Sequence, residues 1–183
     1  SDLTGLVPLV KKIILGTAIV EGAGAVLYAT QFIPEFGVGY GIWAAVFNSI
    51  SAFCNAGMDI VKEDSFRSYV TNPVINFTTM ALIVLGGLGF IVWKDLWQSM
   101  KKLIKEKIPV KRIVQQLKFQ TKIVLSISTF LILFGTVLIF LFEYHNPATM
   151  GNLSLPGKVM ASLFQAVTTR TAGFETVAQG ALT

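Results

Sequence analysis

The stretch Thr168-Thr169-Arg170-Thr171-Ala172-Gly173-Phe174 follows an apolar run and holds small residues up to one glycine, and an earlier stretch has the same layout. Residues 47–51 match residues 164–168 in residue type, position by position. Asn55-Ala56-Gly57-Met58-Asp59 then matches Thr171-Ala172-Gly173-Phe174-Glu175, after one residue more in the first copy. We interpret the pair as a divergent internal repeat, which in so apolar a chain requires a structural reason.

Composition indicates a bilayer as the surrounding of this chain. Hydrophobic residues make up 53% of its 183 residues and charged residues 14%, whereas an average soluble domain carries about 25% charged residues. The net charge is +5, and nine of the fifteen basic residues lie between Lys94 and Lys122. Because apolar segments flank this cluster on both sides, the expected partner is membrane lipid and not nucleic acid. A single cysteine, Cys54, excludes an internal disulfide.

Three segments are apolar over about the 20 residues that cross a bilayer, namely 7–29, 73–93 and 123–142. Glu21 lies near the middle of the first, where a carboxylate is costly, and we expect it to pair with a neighbouring helix. The second contains Gly86-Gly87-Leu88-Gly89. This quartet predicts close packing of another helix, with a soft point that bends as the alternative. No secretory signal is visible in the residues before the first span.

Two shorter apolar segments, 42–53 and 157–169, are too short to cross and are predicted as re-entrant helices that end at the glycine stretches. A break containing Pro34 is expected over residues 31–41, before the first of them. The positive-inside rule places the basic cluster in the cytoplasm. By alternation the N-terminus is then also cytoplasmic, and both glycine stretches enter from the outside.

This layout suits the passage of a cation. A ring of backbone carbonyls can replace the water around a potassium ion, and glycine tolerates the positive φ that turns carbonyls to one side. A short helix whose C-terminal end faces the loop adds partial negative charge. The candidate ion ligands are the backbone carbonyls of Cys54, Asn55, Ala56, Gly57, Arg170, Thr171, Ala172 and Gly173.

Three side chains near the glycines have their own interpretations. Asp59 and Glu175 both stand two residues after a glycine, where symmetric carboxylates raise the local cation concentration; solvated loop charges are an equal alternative. Arg170 would repel cations inside the path, so we expect it to point away and brace its loop through hydrogen bonds. Cys54, at the equivalent position, is expected to be a small buried residue.

The stretch 168–174 resembles the third filter segment of the Trk/Ktr/HKT potassium transporter superfamily, nearest to the bacterial KtrB-type translocating subunit, and 47–58 resembles the second. The resemblance implies four such units in one polypeptide around a pseudo-fourfold pore, with potassium as the permeating ion and sodium dependence as a family trait. It also implies a multi-pass protein of the cell inner membrane, a homodimer, and a cytoplasmic nucleotide-binding regulatory ring of the KtrA type. Met58 stands where an aromatic residue is common.

We therefore predict an all-α membrane protein of repeated span–pore helix–span, potassium channel-like units with re-entrant filter loops. Residues 1–95 form a unit resembling the second repeat, 96–117 a cytoplasmic basic loop, and 118–183 an incomplete unit resembling the third. We expect the chain to be an excerpt of a longer protein, because it stops just after its most specific motif.

Other classes fit the sequence less well. A secondary transporter with re-entrant hairpins uses inverted repeats, whereas both copies here enter from the same side. An intramembrane enzyme needs a nucleophile with a base, or a metal site. The sequence has no His-Glu-x-x-His or Gly-x-Ser-x-Gly pattern, and its one histidine, His145, lies on a predicted loop. We expect no enzymatic activity and no organic cofactor. A plain helical scaffold would leave the repeat unexplained.

Overall fold

The computed structural model describes residues 3–61, 65–106 and 109–183, which form seven α-helices, two short 3-10 helices and no strand. The all-α prediction is thereby confirmed. The helices are α1 (Leu3–Phe36), α2 (Val38–Phe53), α3 (Pro73–Gly87), α4 (Phe90–Glu106), α5 (Val110–Gln116), α6 (Phe119–Glu143) and α7 (Leu155–Thr171). The 3-10 helices are Arg67–Tyr69 and Gln179–Ala181.

The predicted break over residues 31–41 is much shorter than expected, because the single residue Gly37 separates α1 from α2. Gly37 has a φ of 80°, and its N–H still donates to the Ile33 carbonyl at 2.9 Å. Pro34 is accommodated in the last turn of α1. A Cβ on Gly41 would lie 2.8 Å from the Ile33 Cα. The two helices therefore meet in a tight antiparallel corner that aims α2 back into the molecule.

The predicted continuous span over residues 73–93 is wrong. Helix α3 ends at Gly87, and the chain turns by 107° before α4 begins. Gly89 makes this turn with a φ of 78°. Gly86 has the packing role: a Cβ there would lie 1.8 Å from the Phe53 carbonyl oxygen. Close packing, the first interpretation of the glycine quartet, therefore applies to Gly86. The bend, the second interpretation, applies to Gly89.

Among the residues that the structure describes, two helices are long and apolar enough to cross a membrane, over Val7–Phe36 and Phe119–Glu143, and the bent pair α3–α4 is a third candidate. The predicted third span therefore lies within α6. The short helices α2 and α7 contain the two predicted re-entrant segments and begin a few residues earlier. The predicted basic loop, 96–117, is helical over most of its described part, because its Lys and Gln residues favour helix. Residues 107–108 lie outside the described part.

An aromatic core connects α1, α3 and the segment before α3 with the second glycine stretch. The rings of Phe66 and Phe174 stack at 5.1 Å with an interplanar angle of 2°, and both side chains are fully buried. Tyr28 donates to Thr79 Oγ1 at 2.6 Å, since the Thr79 hydroxyl itself donates to the Ile75 carbonyl. The two halves of the chain are thus joined on the side where both short helices end.

Candidate functional site: the two glycine loops

The first loop follows the last turn of α2. Cys54 caps the helix with its N–H on the Ile50 carbonyl at 2.9 Å. Asn55 and Gly57 then both have positive φ, 55° and 69°. Asparagine is one of the few non-glycine residues that adopt this region readily, so the local sequence suits the turn. The N–H groups of Asn55 and Ala56 donate to the Ala52 and Ser51 carbonyls at 3.2 and 2.9 Å, so the loop stays attached to the last turn of α2.

The second loop follows the last turn of α7 and, like the first, contains a glycine with positive φ. The N–H of Ala172 donates to the Thr168 carbonyl at 2.9 Å, which ends the helix. Gly173 has a φ of 107°, a conformation that favours glycine. Its N–H donates to Thr168 Oγ1 at 3.1 Å. The last turn of α7 therefore holds the loop through both its backbone and a side chain.

Equivalent residues make two equivalent hydrogen bonds in the two loops. The N–H of Ala56 donates to the Ser51 carbonyl at 2.9 Å, as Ala172 does to Thr168. The Ser51 hydroxyl donates to the Met58 carbonyl at 2.5 Å, and the Thr168 hydroxyl donates to the Phe174 carbonyl at 2.9 Å. The residues that correspond in the sequence repeat therefore make the same contacts in space.

The two loops adjoin. A Cβ built on Gly57 would lie 2.1 Å from the Ala172 carbonyl oxygen and 3.1 Å from the Gly173 Cα. At Gly173 the equivalent position is open, with no atom within 4 Å. The structure therefore brings together the two glycines that the sequence singles out, and Gly57 is enclosed by the second loop.

The candidate residues beside the two glycines differ in exposure. Cys54 is exposed, contrary to the expectation that it is buried, because it caps α2 beyond the packed face of the helix. Arg170 is exposed as well, and its Nη2 donates to Ser128 Oγ of α6 at 3.1 Å. Asn55 is half-buried, while Ala56 and Thr171 are exposed.

The two acidic residues are not equivalent. Glu175 forms a salt bridge with Arg67, whose Nη2 and Nε lie 2.6 and 3.1 Å from Glu175 Oε2. Asp59 is half-buried. The expected symmetric pair of outer carboxylates is therefore broken, because a cation from the first half of the chain neutralises the second acid. Sequence reasoning missed Arg67, since this contact joins residues 108 positions apart.

The segment that carries Arg67 is itself held in place. The Phe66 N–H donates to the Glu175 carbonyl at 2.9 Å, and Tyr69 donates its hydroxyl to Glu35 Oε2 at the end of α1. Burial raises the pKa of the Tyr69 phenol, and the hydrogen bond and the charge of Glu35 raise it further, so Tyr69 stays a neutral donor. The end of α1, the 3-10 helix and the second loop form one connected network.

The arrangement favours a cation over an anion. Helices α2 and α7 both end at these loops, and the C-terminal end of a helix carries a partial negative charge. Backbone carbonyls of the loops add oxygen atoms of the kind that coordinate alkali ions. Ser51 was also missed as a candidate, although its alignment with Thr168 places a hydroxyl at the same position in both copies.

Comparison with known proteins gives a consistent family. The profile of the TrkH family, described as cation transport protein, matches residues 1–183. The chain is 41% identical over 169 residues to the Ktr system potassium uptake protein B of Vibrio alginolyticus, covering 92% of this chain and 35% of that protein. It is 33% identical to the protein of the same name from Bacillus subtilis, covering 97% and 37%. It is also 33% identical to the potassium/sodium uptake protein NtpJ of Enterococcus hirae, covering 96% and 36%. The chain thus spans about a third of the length of these relatives.

Proposed function

Because this chain belongs to the TrkH family of cation transport proteins, we propose that it is part of a membrane potassium uptake protein in which the ion passes the two glycine loops. Two of the relatives are named potassium uptake proteins and a third a potassium/sodium uptake protein. Their names support transport over enzymatic activity, with potassium as the permeating ion. Sodium dependence is part of the same proposal.

One observation carries the proposal: the enclosure of Gly57 by Ala172 and Gly173 of the other loop. A coordination ring requires that loops far apart in sequence meet at one point with turned carbonyls. The two loops adjoin, and each glycine has a positive φ. The proposed ligands are the carbonyls of residues 54–57 and 170–173. The rest of the natural polypeptide would supply the two further loops of a pseudo-fourfold ring.

The surroundings of the loops fit this role. The guanidinium of Arg170 contacts α6, so its charge has a partner group away from the loop backbone. The C-terminal ends of α2 and α7 supply partial negative charge. Glu175 is paired with Arg67, which leaves Asp59 as the outer carboxylate proposed to attract cations.

The proposal extends to the setting of the protein. The positive-inside rule places the N-terminus and the basic segment, 96–117, in the cytoplasm of a bacterial inner membrane. The relatives' name, Ktr system potassium uptake protein B, supports a system of several components. We propose that the basic segment faces such a component, a cytoplasmic nucleotide-binding regulatory ring of the KtrA type. Assembly as a homodimer belongs to this proposal.

The test is potassium uptake by a transport-deficient cell that expresses the full natural polypeptide. Gly57→Ser and Gly173→Ser are expected to weaken discrimination between potassium and sodium, because a side chain at a positive φ re-aims the neighbouring carbonyls. Gly16→Ser is the control, since a Cβ there meets no atom within 4 Å and φ is helical. Unchanged selectivity in both loop variants, at equal membrane abundance, would refute the assignment.

A further inference from the structure

We propose that Ser51 and Thr168 are positioning residues for the permeating ion, a proposal that rests on the proposed function. Their hydroxyls hold the carbonyls of Met58 and Phe174. These two carbonyls are thereby withdrawn from the ion path, and the outer end of each loop is fixed. Selectivity then depends on one hydroxyl group at the foot of each loop.

The geometry is the same in both copies. Each hydroxyl belongs to the end of a short helix, and each donates to the carbonyl of the residue that follows the glycine. The bond spans seven residues in the first loop and six in the second, which absorbs the extra residue of the first copy. Both loops make this hydrogen bond although they differ in length by one residue. The hydrogen bond, and not the loop length, is therefore the feature that the two copies share.

Burial makes the contact effective. The exposed fraction is 5% for Ser51 and 1% for Thr168. Hydrogen bonds are stronger where water does not compete, and an unpaired buried partner is costly. The carbonyl oxygens of Met58 and Phe174 are therefore held toward the short helices. The carbonyls before each glycine are left to coordinate the ion.

The second loop has an additional point of attachment. Thr168 Oγ1 accepts a hydrogen bond from the Gly173 N–H at 3.1 Å while it donates to the Phe174 carbonyl. One oxygen atom thus holds both the peptide group before Gly173, through its N–H, and the peptide group after Phe174, through its carbonyl. Removing it frees the Gly173 N–H and leaves the Phe174 carbonyl with only the longer, 3.5 Å hydrogen bond from Gln179 Nε2. The effect at Thr168 is therefore expected to exceed that at Ser51.

The neighbouring Thr169 also has a hydroxyl at the end of α7, but that hydroxyl does not bond to the loop. Thr169 Oγ1 donates to the Gln165 carbonyl at 2.8 Å, within its own helix. This is the ordinary bond of a helical threonine to the residue four positions earlier. Thr169→Val therefore removes a hydroxyl at the same helix end without touching a loop carbonyl, and it is the matched control.

The experiment compares hydroxyl removal with hydroxyl exchange, in the full natural polypeptide and at equal membrane abundance. Ser51→Ala and Thr168→Val are expected to lower the ratio of potassium to sodium uptake by about 2- to 10-fold, the range of one lost hydrogen bond. Ser51→Thr and Thr168→Ser exchange the residue types of the two copies and are expected to keep the ratio near that of the unaltered protein. Thr169→Val is expected to leave it unchanged.

The outcomes separate this inference from the proposed function. If hydroxyl removal leaves selectivity intact while Gly57→Ser and Gly173→Ser weaken it, the loops conduct the ion and the positioning role is wrong. If neither set changes selectivity, the proposed function itself fails. A loss in Thr169→Val equal to that in Thr168→Val, or failure of Thr168→Ser to keep selectivity, would assign the effect to general helix packing and overturn the inference. Should Thr168→Val not reach the membrane, Ser51→Ala and the two exchange variants decide.

Discussion

The two glycine loops share their internal hydrogen bonds but differ in what surrounds them. The first is held by backbone contacts: Gly57 lies against Ala172, and Gly86 lies against the carbonyl of Phe53 just before the loop. The second is open beside Gly173 and is held by side chains in addition to the hydrogen bond from the Phe66 N–H to the Glu175 carbonyl. Arg170 reaches α6, and Glu175 pairs with Arg67. The shared hydrogen-bond pattern is therefore accompanied by close backbone packing in the first loop and mainly by polar side-chain contacts in the second.

The largest expected difference comes from alanine at the two loop glycines. Gly57→Ala places a Cβ 2.1 Å from a backbone oxygen, so overpacking of about 1–3 kcal/mol adds to about 1–2 kcal/mol for a residue with positive φ. Gly173→Ala is expected to cost only the second term, because its Cβ meets open space. Thermal unfolding of the detergent-purified protein measures both. Equal losses would contradict the contrast between an enclosed and an open glycine.

Alanine substitutions at Gly86 and Gly87 of α3 test whether packing against α3 stabilises the first loop. Gly86→Ala puts a Cβ 1.8 Å from the Phe53 carbonyl oxygen, whereas at Gly87 the first atom met is Asn55 Nδ2 at 3.7 Å. Gly86→Ala gains up to about 1 kcal/mol of helix propensity, and Gly87→Ala, at the last residue of α3, gains less. A Gly86→Ala protein that is less stable than Gly87→Ala therefore reports the clash, expected at about 1–3 kcal/mol. The same unfolding measurement is the readout. A Gly86→Ala protein as stable as Gly87→Ala would show that α3 does not confine the loop.

The smallest expected effect concerns the salt bridge of the second loop. Arg67→Gln, Glu175→Gln and the double variant form a cycle whose coupling free energy is expected at about 0.2–1 kcal/mol, since both side chains are partly exposed. The coupling should weaken at high salt. Unfolding temperatures at low and high ionic strength provide the comparison. A coupling free energy of zero at low salt would show that the salt bridge of Arg67 with Glu175 does not stabilise this loop.

Much of the fold could be predicted from local patterns. The apolar runs predict α1, α6 and the two short helices, and the paired stretches around Gly57 and Gly173 predict which residues make equivalent contacts. The errors lie where a helix continues or stops. Residues 31–41 contain Pro34 and glycines, yet helix continues up to Gly37 because proline fits the last turn of α1. Residues 80–93 contain no charged or amide side chain, so nothing in their hydropathy marks the bend after Gly87.

The candidate site also contains features that the sequence predicted and features that it did not. Residue type at matched positions was sufficient to select both glycines, because positive φ is a local property of the backbone. The pairing of Glu175 with Arg67 was not predictable, since any of several basic residues could have met that carboxylate. The role of Ser51 was within reach of the alignment, but a hydroxyl at a helix end usually bonds within its own helix.

The amino-acid sequence by itself determined that the chain is helical and apolar and that it carries two copies of one loop, because periodicity, composition and the choice of glycine act over a few residues. Only the tertiary structure decided that these loops adjoin, that one glycine is enclosed and the other open, and that Arg67 neutralises Glu175. Such contacts depend on how helices from distant parts of the chain pack, and packing is settled by the shapes of many side chains together.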